Sequence, residues 1–406
     1  MQQFLIIRKK LLNIVRYTLK SCSPEKLFKN AFNKKSLRDF EKIIVISIGK
    51  ASNGMAKEVL KMLPRKPDAV LFADSGHPTP TKKGIQNTQK IIRVARGLKE
   101  KDLAIVLISG GGSSMLCSPV PEITLEDKIE ITRALLKSGA TIQEMNIVRK
   151  HLSQVKGGNL AALLYPATVW GFVISDVVGN DLSTIASGPI SPDTSTFSDA
   201  IGILKKYNIS APKKVRGYLS KGVYDKKLET PKPGEKYFEK VQVKILADHS
   251  TVLKNAAKFA LQLGLKVKIV PKLITGEAKH SAKTFVKMAK KNTLLIAGGE
   301  TTVTCCRTPG FGGRNQEFVL SGLRYLKPNQ TLISIGTDGI DGICPEPVAG
   351  AIADNSTLEN AAKLNLKIDN FLKNNDSYSF FKKTKGLIKT GPTGTNLGDI
   401  MMVYSR

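Results

Sequence analysis

A lysine stands directly after an apolar run, in the segment Gly49-Lys50-Ala51-Ser52. If the run is a strand and the segment opens a helix, free N–H groups and the helix dipole favour an anion there. The Lys50 ammonium adds a positive charge beside them. The segment is not a Walker A loop, because that motif needs a glycine five residues before Gly-Lys and Ile44 stands there. The pattern predicts an anion site, and a lone surface lysine is the alternative.

A glycine-rich loop follows a second apolar run, in the segment Ser109–Ser114 with the sequence SGGGSS. Three glycines let the backbone fold closely around a phosphate chain, and the serine hydroxyls add hydrogen-bond donors or a metal contact. A tight structural turn would not require three glycines with flanking serines. The loop therefore predicts binding of nucleotide phosphates by Gly110, Gly111, Gly112, Ser113 and Ser114.

Two aspartates follow a third apolar run, in the segment Ser175–Asp181 with the sequence SDVVGND, upstream of Ser187-Gly188-Pro189. Carboxylates at a strand end can hold the magnesium ion that accompanies a nucleoside triphosphate, since this ion takes oxygen ligands and keeps several waters. Helix capping is the alternative. Asp176 lies nearer the strand end than Asp181, so we predict Asp176 as the metal-binding and catalytic carboxylate.

An arginine follows several glycines in the segment Gly310–Glu317 with the sequence GFGGRNQE, and we group it with Gly298–Thr301 (GGET). An arginine on a glycine-rich loop suits a bidentate grip on a carboxylate or a transferring phosphoryl group. The glycine spacing does not match a dinucleotide fingerprint, and the loop does not directly follow a strand. We predict Arg314 as a catalytic and substrate-binding residue, with a surface salt bridge as the alternative.

Two further glycine-rich turns carry polar residues, at Gly336–Gly342 (GTDGIDG) and Gly391–Asn396 (GPTGTN). Two aspartates three residues apart can bind a metal or orient an attacking hydroxyl, and a bare β-turn uses the same residues. We predict substrate binding by Asp338 and metal binding by Asp341. His77 (in GHPTP) and Glu277 (in TGEA) rank lower as candidates.

The elements that must position these residues alternate along the chain. Continuous apolar runs predict buried parallel strands, while the segments between them have the periodicity of helices. In open sheets of this class, ligands bind outside the carboxyl ends of the strands. The alternation specifies an α/β fold with mostly parallel sheets. The predicted strands begin segments at Ile43–Ser52, Leu103–Met115, Thr168–Asp181, Thr293–Val303 and Thr331–Gly342, and the predicted helices span Asn53–Met62, Thr124–Gly139, Asn146–Leu164, Thr251–Leu263 and Glu277–Lys290.

A chain of 406 residues is too long for one ordinary core, so two α/β domains are expected. Between Lys205 and Lys240 the periodicity gives way to a stretch rich in lysine, glycine and proline, the best candidate for an interdomain region. With a new strand at Val241–Ala247, we predict domains at 1–239 and 240–406. The odd number of cysteines without CxxC spacing and the absence of a secretory signal predict a cytoplasmic protein. The cysteines are Cys22, Cys117, Cys305, Cys306 and Cys344.

A formal net charge of +30 raises the question of nucleic-acid binding. The lysines are spread along the whole chain, with no interleaved aromatic residues and no RNA- or DNA-binding signature. We therefore interpret the charge as a solvated cationic surface, and predict no nucleic-acid partner. No apolar run approaches the ~18 to 20 residues that a membrane span needs, so no membrane partner is expected either.

The residues together suit phosphoryl transfer, in which positioning and charge neutralisation supply most of the catalysis. Many motifs, in order, also resemble the class II glycerate kinase family, whose C-terminal half is the MOFRL domain. The resemblance runs from about Lys42 to the C-terminus. Its landmarks are SIGKAS, GHPTP, ISGGGSSML, VRKHLSQVKGGNLA, ISDVVGNDLSTIASGPISPD, TGEA, GGETTV, GFGGRNQEFVLS, GTDGIDG, NDSYSFF and GPTGTNLGDIMM.

This resemblance implies a Rossmann-like N-terminal α/β/α domain and an α/β MOFRL domain, with ATP and glycerate meeting in the interdomain cleft. It implies ATP with Mg2+ or another divalent cation, phosphorylation of D-glycerate at the 2-hydroxyl, and Lys50 and Arg314 as the basic active-site pair. Asn180, assigned here to nucleotide binding, stands where many relatives carry a second aspartate, and Gly398 replaces a common asparagine. A homodimer is a further expectation. The rival enzyme class is an NAD(P)H-dependent hydroxypyruvate reductase, but no GxGxxG follows any predicted strand.

Overall fold

The computed structural model describes residues 2–29, 31, 37–77 and 79–406, so Pro78 of the GHPTP motif lies outside the described residues. The chain divides into two compact units. We name Phe28–Leu246 the parallel-sheet unit, and Met1–Leu27 with Ala247–Arg406 the composite unit. The chain begins with helices α1 (Gln2–Ser21) and α2 (Pro24–Phe28).

The parallel-sheet unit contains one five-stranded sheet in the order β2-β1-β3-β4-β5. Strand β1 pairs in parallel with β2 and β3, and β3 pairs in parallel with β4. All six residues of β1 and of β3 are buried, as expected for strands covered on both faces. The strands are β1 (Ile43–Ile48), β2 (Ala69–Ala73), β3 (Leu103–Ile108), β4 (Thr168–Ile174) and β5 (Val241–Ala247).

Four helices of this unit begin at threonine caps that the sequence supplies. Thr124, Thr141 and Thr196 each form a capping box with an acidic residue three positions later, which satisfies two free backbone N–H groups per helix. The helices are α3 (Ser52–Met62), α4 (Lys82–Ala95), α5 (Gly112–Met115), α6 (Leu125–Lys137), α7 (Ile142–His151), α8 (Asn159–Leu164), α9 (Phe197–Lys206) and α10 (Lys213–Tyr224). Within the described ranges, no helix is long and apolar enough to cross a membrane.

Two predictions about helices are wrong. The helix predicted over Asn146–Leu164 is broken between α7 and α8, where Gly157 and Gly158 have φ values of +55° and +84°. Helix α7 already ends at His151, and the left-handed Gly158 is the N-cap of α8, so the two helices are separate although the apolar spacing continues. The stretch from Lys205 to Lys240, predicted to be irregular, contains α10, whose buried residues include Val215 and Leu219.

The composite unit contains a three-stranded sheet, β6-β8-β7, and a four-stranded sheet, β11-β10-β9-β12. The first is parallel, but β9 pairs antiparallel with both β10 and β12. The prediction of a parallel strand at Thr331 is therefore wrong in direction, because apolar continuity reports burial and not strand polarity. The strands are β6 (Lys266–Ile269), β7 (Ile274–Glu277), β8 (Thr293–Thr302), β9 (Gln330–Gly336), β10 (Gly350–Asp354), β11 (Leu387–Ile388) and β12 (Asp399–Ser405).

Helix α1 is part of the composite unit although it lies at the opposite end of the sequence. Tyr17 stacks on Phe259 with ring centroids 4.2 Å apart, and Arg8 Nε donates to Asp354 Oδ2 at 2.6 Å. The composite unit therefore contains α1 in addition to most of the segment 240–406. The domain bounds 1–239 and 240–406 stay a prediction. The remaining helices are α11 (His249–Gln262), α12 (Ala278–Lys287), α13 (Arg314–Leu323), α14 (Asn355–Lys363), α15 (Ile368–Lys373) and α16 (Ser377–Thr384).

Candidate active site

The register of the parallel sheet places three predicted site segments at one edge. Ile48 pairs with Ile108, and Ile108 pairs with Val173, so the residues that follow β1, β3 and β4 emerge side by side. Lys50, the loop Gly110–Ser114 and Asp176 are these residues. The structure thus brings together segments that are more than 50 residues apart in sequence.

The first and second segments are joined by backbone contacts. Lys50 N donates to the Gly110 carbonyl at 2.9 Å, and Ala51 N donates to Ser109 Oγ at 3.0 Å. Gly49 has φ +103°, and a Cβ atom there would lie 2.4 Å from the Ser109 carbonyl oxygen. Only glycine fits this approach, which holds the exposed Lys50 at the start of α3.

The glycine loop is held beside two basic side chains. Gly111 has φ +83°, and a Cβ atom there would lie 3.0 Å from His77 Cδ2 and 3.3 Å from Lys50 Cγ. His77, which ranked low among the sequence candidates, therefore lies against the loop together with Lys50. Gly112 packs on Ala186, whose Cβ would be 2.8 Å from an added Cβ.

A segment with a left-handed backbone supports the loop from the other side. Ala186, Ser187 and Gly188 have φ values of +51°, +62° and +62°. A non-glycine residue in this region costs about 1 to 2 kcal/mol, so surrounding contacts must maintain it. Ser187 Oγ donates toward Ser113 Oγ at 3.1 Å and Asn146 Oδ1 at 3.0 Å, alternatives for its single proton.

The two candidate aspartates of the acidic segment after β4 lie in different environments. Asp176 is half-buried at the strand end. Asp181 accepts hydrogen bonds from Ser183 N, Ser183 Oγ and Thr184 Oγ1 at 2.7 to 2.9 Å, so it closes a local turn. Asn180 has φ +56°, a conformation that asparagine tolerates better than most residues.

Three cationic side chains missed by the sequence analysis line a cavity of about 190 Å³ at the glycine loop. They are Lys128 on α6, Arg149 on α7 and Lys156 in the break between α7 and α8. Two of them, Arg149 and Lys156, lie in the family landmark VRKHLSQVKGG. The basic residues close to two glycines in this motif could have indicated an anion site. Helical periodicity does not predict where the chain turns back, so it could not place the two residues at one cavity.

These three cations are poorly compensated by protein groups. Lys128 is 4% exposed and its Nζ has no hydrogen-bond partner among the described residues. Lys156 is fully buried, and among the described residues its Nζ donates one long hydrogen bond, to the Ala186 carbonyl at 3.5 Å. Burial lowers the pKa of Lys128, Arg149 and Lys156, and for Lys156 the nearby charge of Lys128 lowers it further. Burying an uncompensated ammonium costs on the order of several kcal/mol.

In the composite unit, Arg314 begins α13 and is held by two acids. Its Nε and Nη2 donate to Asp399 at 2.7 and 3.0 Å, and its Nη1 donates to Glu300 at 2.7 Å. Burial alone would lower the pKa of Arg314, but the Asp399 and Glu300 carboxylates reverse this and raise it. Burial raises the pKa of Asp399 to about 7, although Arg314 acts in the opposite direction. These bonds use three of the five guanidinium N–H groups.

Asp341 caps the helix that begins at Arg314. Its Oδ1 accepts from the backbone and side-chain nitrogens of Asn315, and its Oδ2 from those of Gln316, at 2.8 to 3.2 Å. These four bonds occupy the acceptor positions of the buried carboxylate. The geometry therefore does not support the metal role predicted for Asp341.

The two glycine-rich turns of the composite unit lie against each other. Thr393 N donates to the Asp338 carbonyl at 3.2 Å, and a Cβ atom on Gly339 would lie 2.0 Å from the Gly391 carbonyl oxygen. The half-buried Asp338 side chain also accepts from Ile340 N at 3.1 Å. Gly398 has φ +79° and packs on His249, where an added Cβ would lie 1.9 Å from Cε1, so the imidazole fills the space that the common asparagine would need.

Across the described residues, there is no group of three or more histidine, cysteine, aspartate or glutamate side chains suited to a metal ion. A magnesium ion that arrives with a nucleotide needs only one or two protein carboxylates, since phosphate oxygens and water complete its shell. Asp176 fits this limited role because it is half-buried at the same sheet edge as the glycine loop. Glu277 does not, since it accepts from Thr304 N and Oγ1 and fixes a local turn.

The parallel-sheet unit is an open α/β sheet, the class of fold in which ligands bind outside the carboxyl ends of the strands. The sequence matches a domain of unknown function, DUF4147, over residues 10–220, and the MOFRL family over residues 293–399. The D-glycerate 2-kinase of Thermotoga maritima is 35% identical over 98% of this chain and 98% of its own. The glycerate 2-kinase of Pyrococcus horikoshii is 36% identical over 90% of this chain and 88% of its own.

Solved structures agree with the sequence comparison. A glycerate kinase from Thermotoga maritima superposes with a TM-score of 0.85 at 34% identity, covering 98% of this chain and 99% of that chain. A protein from Pyrococcus horikoshii gives 0.79 at 33% identity, covering 98% and 99%. The chain belongs to the glycerate kinase family that combines these two domains, which confirms the predicted family and the α/β fold class.

A provisionally named hydroxypyruvate reductase from Agrobacterium vitis is also similar, with 38% identity over 89% of this chain and 86% of its own.

Proposed function

We propose that the protein transfers the γ-phosphoryl group of ATP to the 2-hydroxyl of D-glycerate. The observation that carries the proposal is the convergence of Lys50 and the loop Gly110–Ser114 at one sheet edge, in a chain similar over nearly its whole length to a D-glycerate 2-kinase. The hydroxyl oxygen attacks the γ-phosphorus, the bond from that phosphorus to the β,γ-bridging oxygen breaks with its electrons staying on ADP, and the hydroxyl proton is released to water. ADP and 2-phosphoglycerate are the products.

The residues have distinct parts in this proposal. The backbone of Gly110–Ser114, with Asn180, holds the nucleotide phosphates, and Lys50 neutralises charge that builds on the transferring group. Asp176 would hold the divalent cation, which would supply positive charge to offset that of the nucleotide phosphates. Arg314 and Asp338 are the residues of the composite unit that we propose for substrate binding, and Lys50 is the one of the parallel-sheet unit.

Arg314 is prepared for this part by its carboxylate partners. Asp399 and Glu300 hold three of its N–H groups, so the guanidinium plane has a fixed direction. The two N–H groups that these bonds do not use can donate to a carboxylate or phosphoryl oxygen. A fixed donor loses little conformational freedom when it binds substrate.

An assay that couples ADP release to NADH oxidation tests the proposal with D-glycerate as the acceptor. Turnover is expected with ATP and a divalent cation, and NMR of the product should show 2-phosphoglycerate. Formation of 3-phosphoglycerate would correct the position of transfer. NADH oxidation on adding hydroxypyruvate in the absence of ATP and coupling enzymes, with no ADP released from glycerate, would favour the reductase instead.

A cytoplasmic location and a homodimer stay predictions beside this function. Light scattering of the purified protein measures its mass in solution, and a mass of 44.2 kDa would contradict the homodimer.

A further inference from the structure

The cavity beside the glycine loop has an excess of positive charge. We infer that Lys128, Arg149 and Lys156 form a binding site for one compact oxyanion, a phosphoryl or carboxylate group. The inference deepens the proposed function, and it rests on that function only for the identity of the substrate that carries the oxyanion. None of these three residues has a part in the phosphoryl transfer proposed for Lys50, Asp176 and Arg314.

The residues that line the cavity indicate that its ligand carries negative charge. Three cationic side chains line it, and no aspartate or glutamate is among the lining residues. Lys150, next to Arg149, is a buried lysine that has an acidic partner, and it serves as a comparison. Its Nζ donates to the buried carboxylate of Asp193 at 3.2 Å. Lys128 and Lys156 have no such acid among the described residues, so an anion from solution completes the cluster.

The donors around the cavity match an oxyanion. The hydroxyl groups of Ser113, Ser114 and Thr132 line it together with the three cations. Lys128 Nζ, buried and without a hydrogen-bond partner in the described structure, is a donor that the protein itself does not use. Charged donors and hydroxyls around one small space are the groups that bind phosphate and carboxylate oxygens.

The size of the cavity limits the ligand. Its volume of about 190 Å³ is below the roughly 300 Å³ at which pockets for drug-sized molecules begin. It accommodates a single phosphoryl group or a three-carbon acid, but not a whole nucleotide. The oxyanion therefore comes from glycerate and its phosphorylated product, or from the terminal phosphates of the nucleotide.

Calorimetry and thermal unfolding with inorganic phosphate and pyrophosphate test the site without any turnover. Wild-type protein should bind these probes, and Lys156→Met and Lys128→Met should each weaken binding by about 10- to 100-fold, the usual effect of losing one charged donor. Both substitutions remove a buried amine whose charged form has no carboxylate partner among the described residues, so the unliganded variants should unfold about 2 to 4 °C higher than wild type. A purely structural lysine would give a lower unfolding temperature.

Lys137→Met is the matched control, because Lys137 is exposed on the same helix as Lys128 and its loss changes the net charge equally. It should leave probe binding unchanged. D-glycerate and ADP form two further arms. Weaker binding of D-glycerate alone identifies a carboxylate ligand, and weaker binding of ADP alone identifies a nucleotide phosphate.

The inference is overturned if wild-type protein binds none of the four probes, or if both methionine variants bind them as wild type does. If Lys156→Met does not fold, Arg149→Met replaces it, because Arg149 is only half-buried. Binding of the same probes by Arg149→Met as by wild type would then overturn the inference. Failure of the proposed function, meaning no ADP release with D-glycerate, leaves the phosphate and pyrophosphate results readable on their own.

Discussion

Arg314 is bound in a bidentate ion pair to Asp399, with Nε to Oδ2 at 2.7 Å and Nη2 to Oδ1 at 3.0 Å. The Asp399 side chain is fully buried at the start of β12, whereas Glu300, the second acid on Arg314, is 55% exposed. The same arginine thus has one buried and one exposed partner. The buried pair with Asp399 should contribute more to the free energy of unfolding than the pair with Glu300, because water screens the exposed pair.

Asp399→Asn should destabilise the protein by about 3 kcal/mol, since it leaves a partly buried guanidinium without its buried counter-charge. Glu300→Gln, which removes the solvent-exposed partner of the same arginine, should cost only about 0.5 kcal/mol. Urea unfolding of both variants measures the difference. Equal losses would show that Asp399 does not hold Arg314 more firmly than Glu300 does.

Lys50→Ala should lower kcat by about 100-fold or more, because a charged donor to the transferring group is lost. Lys57→Ala is the control, an exposed lysine on the same helix, α3. Circular dichroism should show both variants folded. Near wild-type turnover of Lys50→Ala would remove Lys50 from the catalytic residues, and the same criterion applies to Arg314→Ala.

Gly111→Ala should abolish most activity because its new methyl group would crowd His77 and Lys50. Gly139→Ala provides a matched control, since Gly139 has φ +78° but no atom within 4 Å of an added Cβ. Both variants should lose about 1 kcal/mol of stability from the left-handed backbone. Only Gly111→Ala should lose turnover, and retention of turnover there would show that the loop tolerates displacement.

The stability of the unliganded protein should rise with pH from the depressed folded pKa of Lys156 toward its ordinary value of 10.5. Burial and the charges of Lys128 and Arg149 lower the folded pKa, while Cys117 acts in the opposite direction. His77 also lines the cavity. Between the two pKa values the unfolded chain binds more protons than the folded one, so increasing pH favours folding.

Urea midpoints at pH 7 and pH 9 measure this dependence. Lys156→Met should flatten the increase relative to wild type, whereas Lys137→Met should keep it. An unchanged slope in Lys156→Met would mean that Lys156 is not the group responsible.

Local sequence patterns predicted the parallel part of the fold well. Buried parallel strands need long apolar runs, and β1, β3 and β4 are such runs. β2 was missed because it has only five residues and four of them are half-buried. The antiparallel pairing of β9 could not be predicted, because strand direction depends on which distant segments become neighbours.

Within the candidate site, the residues that could be predicted from the sequence are those whose backbone geometry has a local signature. Gly49, Gly111 and Lys50 were predicted because glycines and a strand-end lysine mark an anion-binding turn. Folding brings Lys128 on α6 and Lys156 after α7 to one cavity, and it places Asp341 as the cap of α13. Burial and the pairing of charges depend on contacts between distant segments, so no local pattern of residue types encodes them.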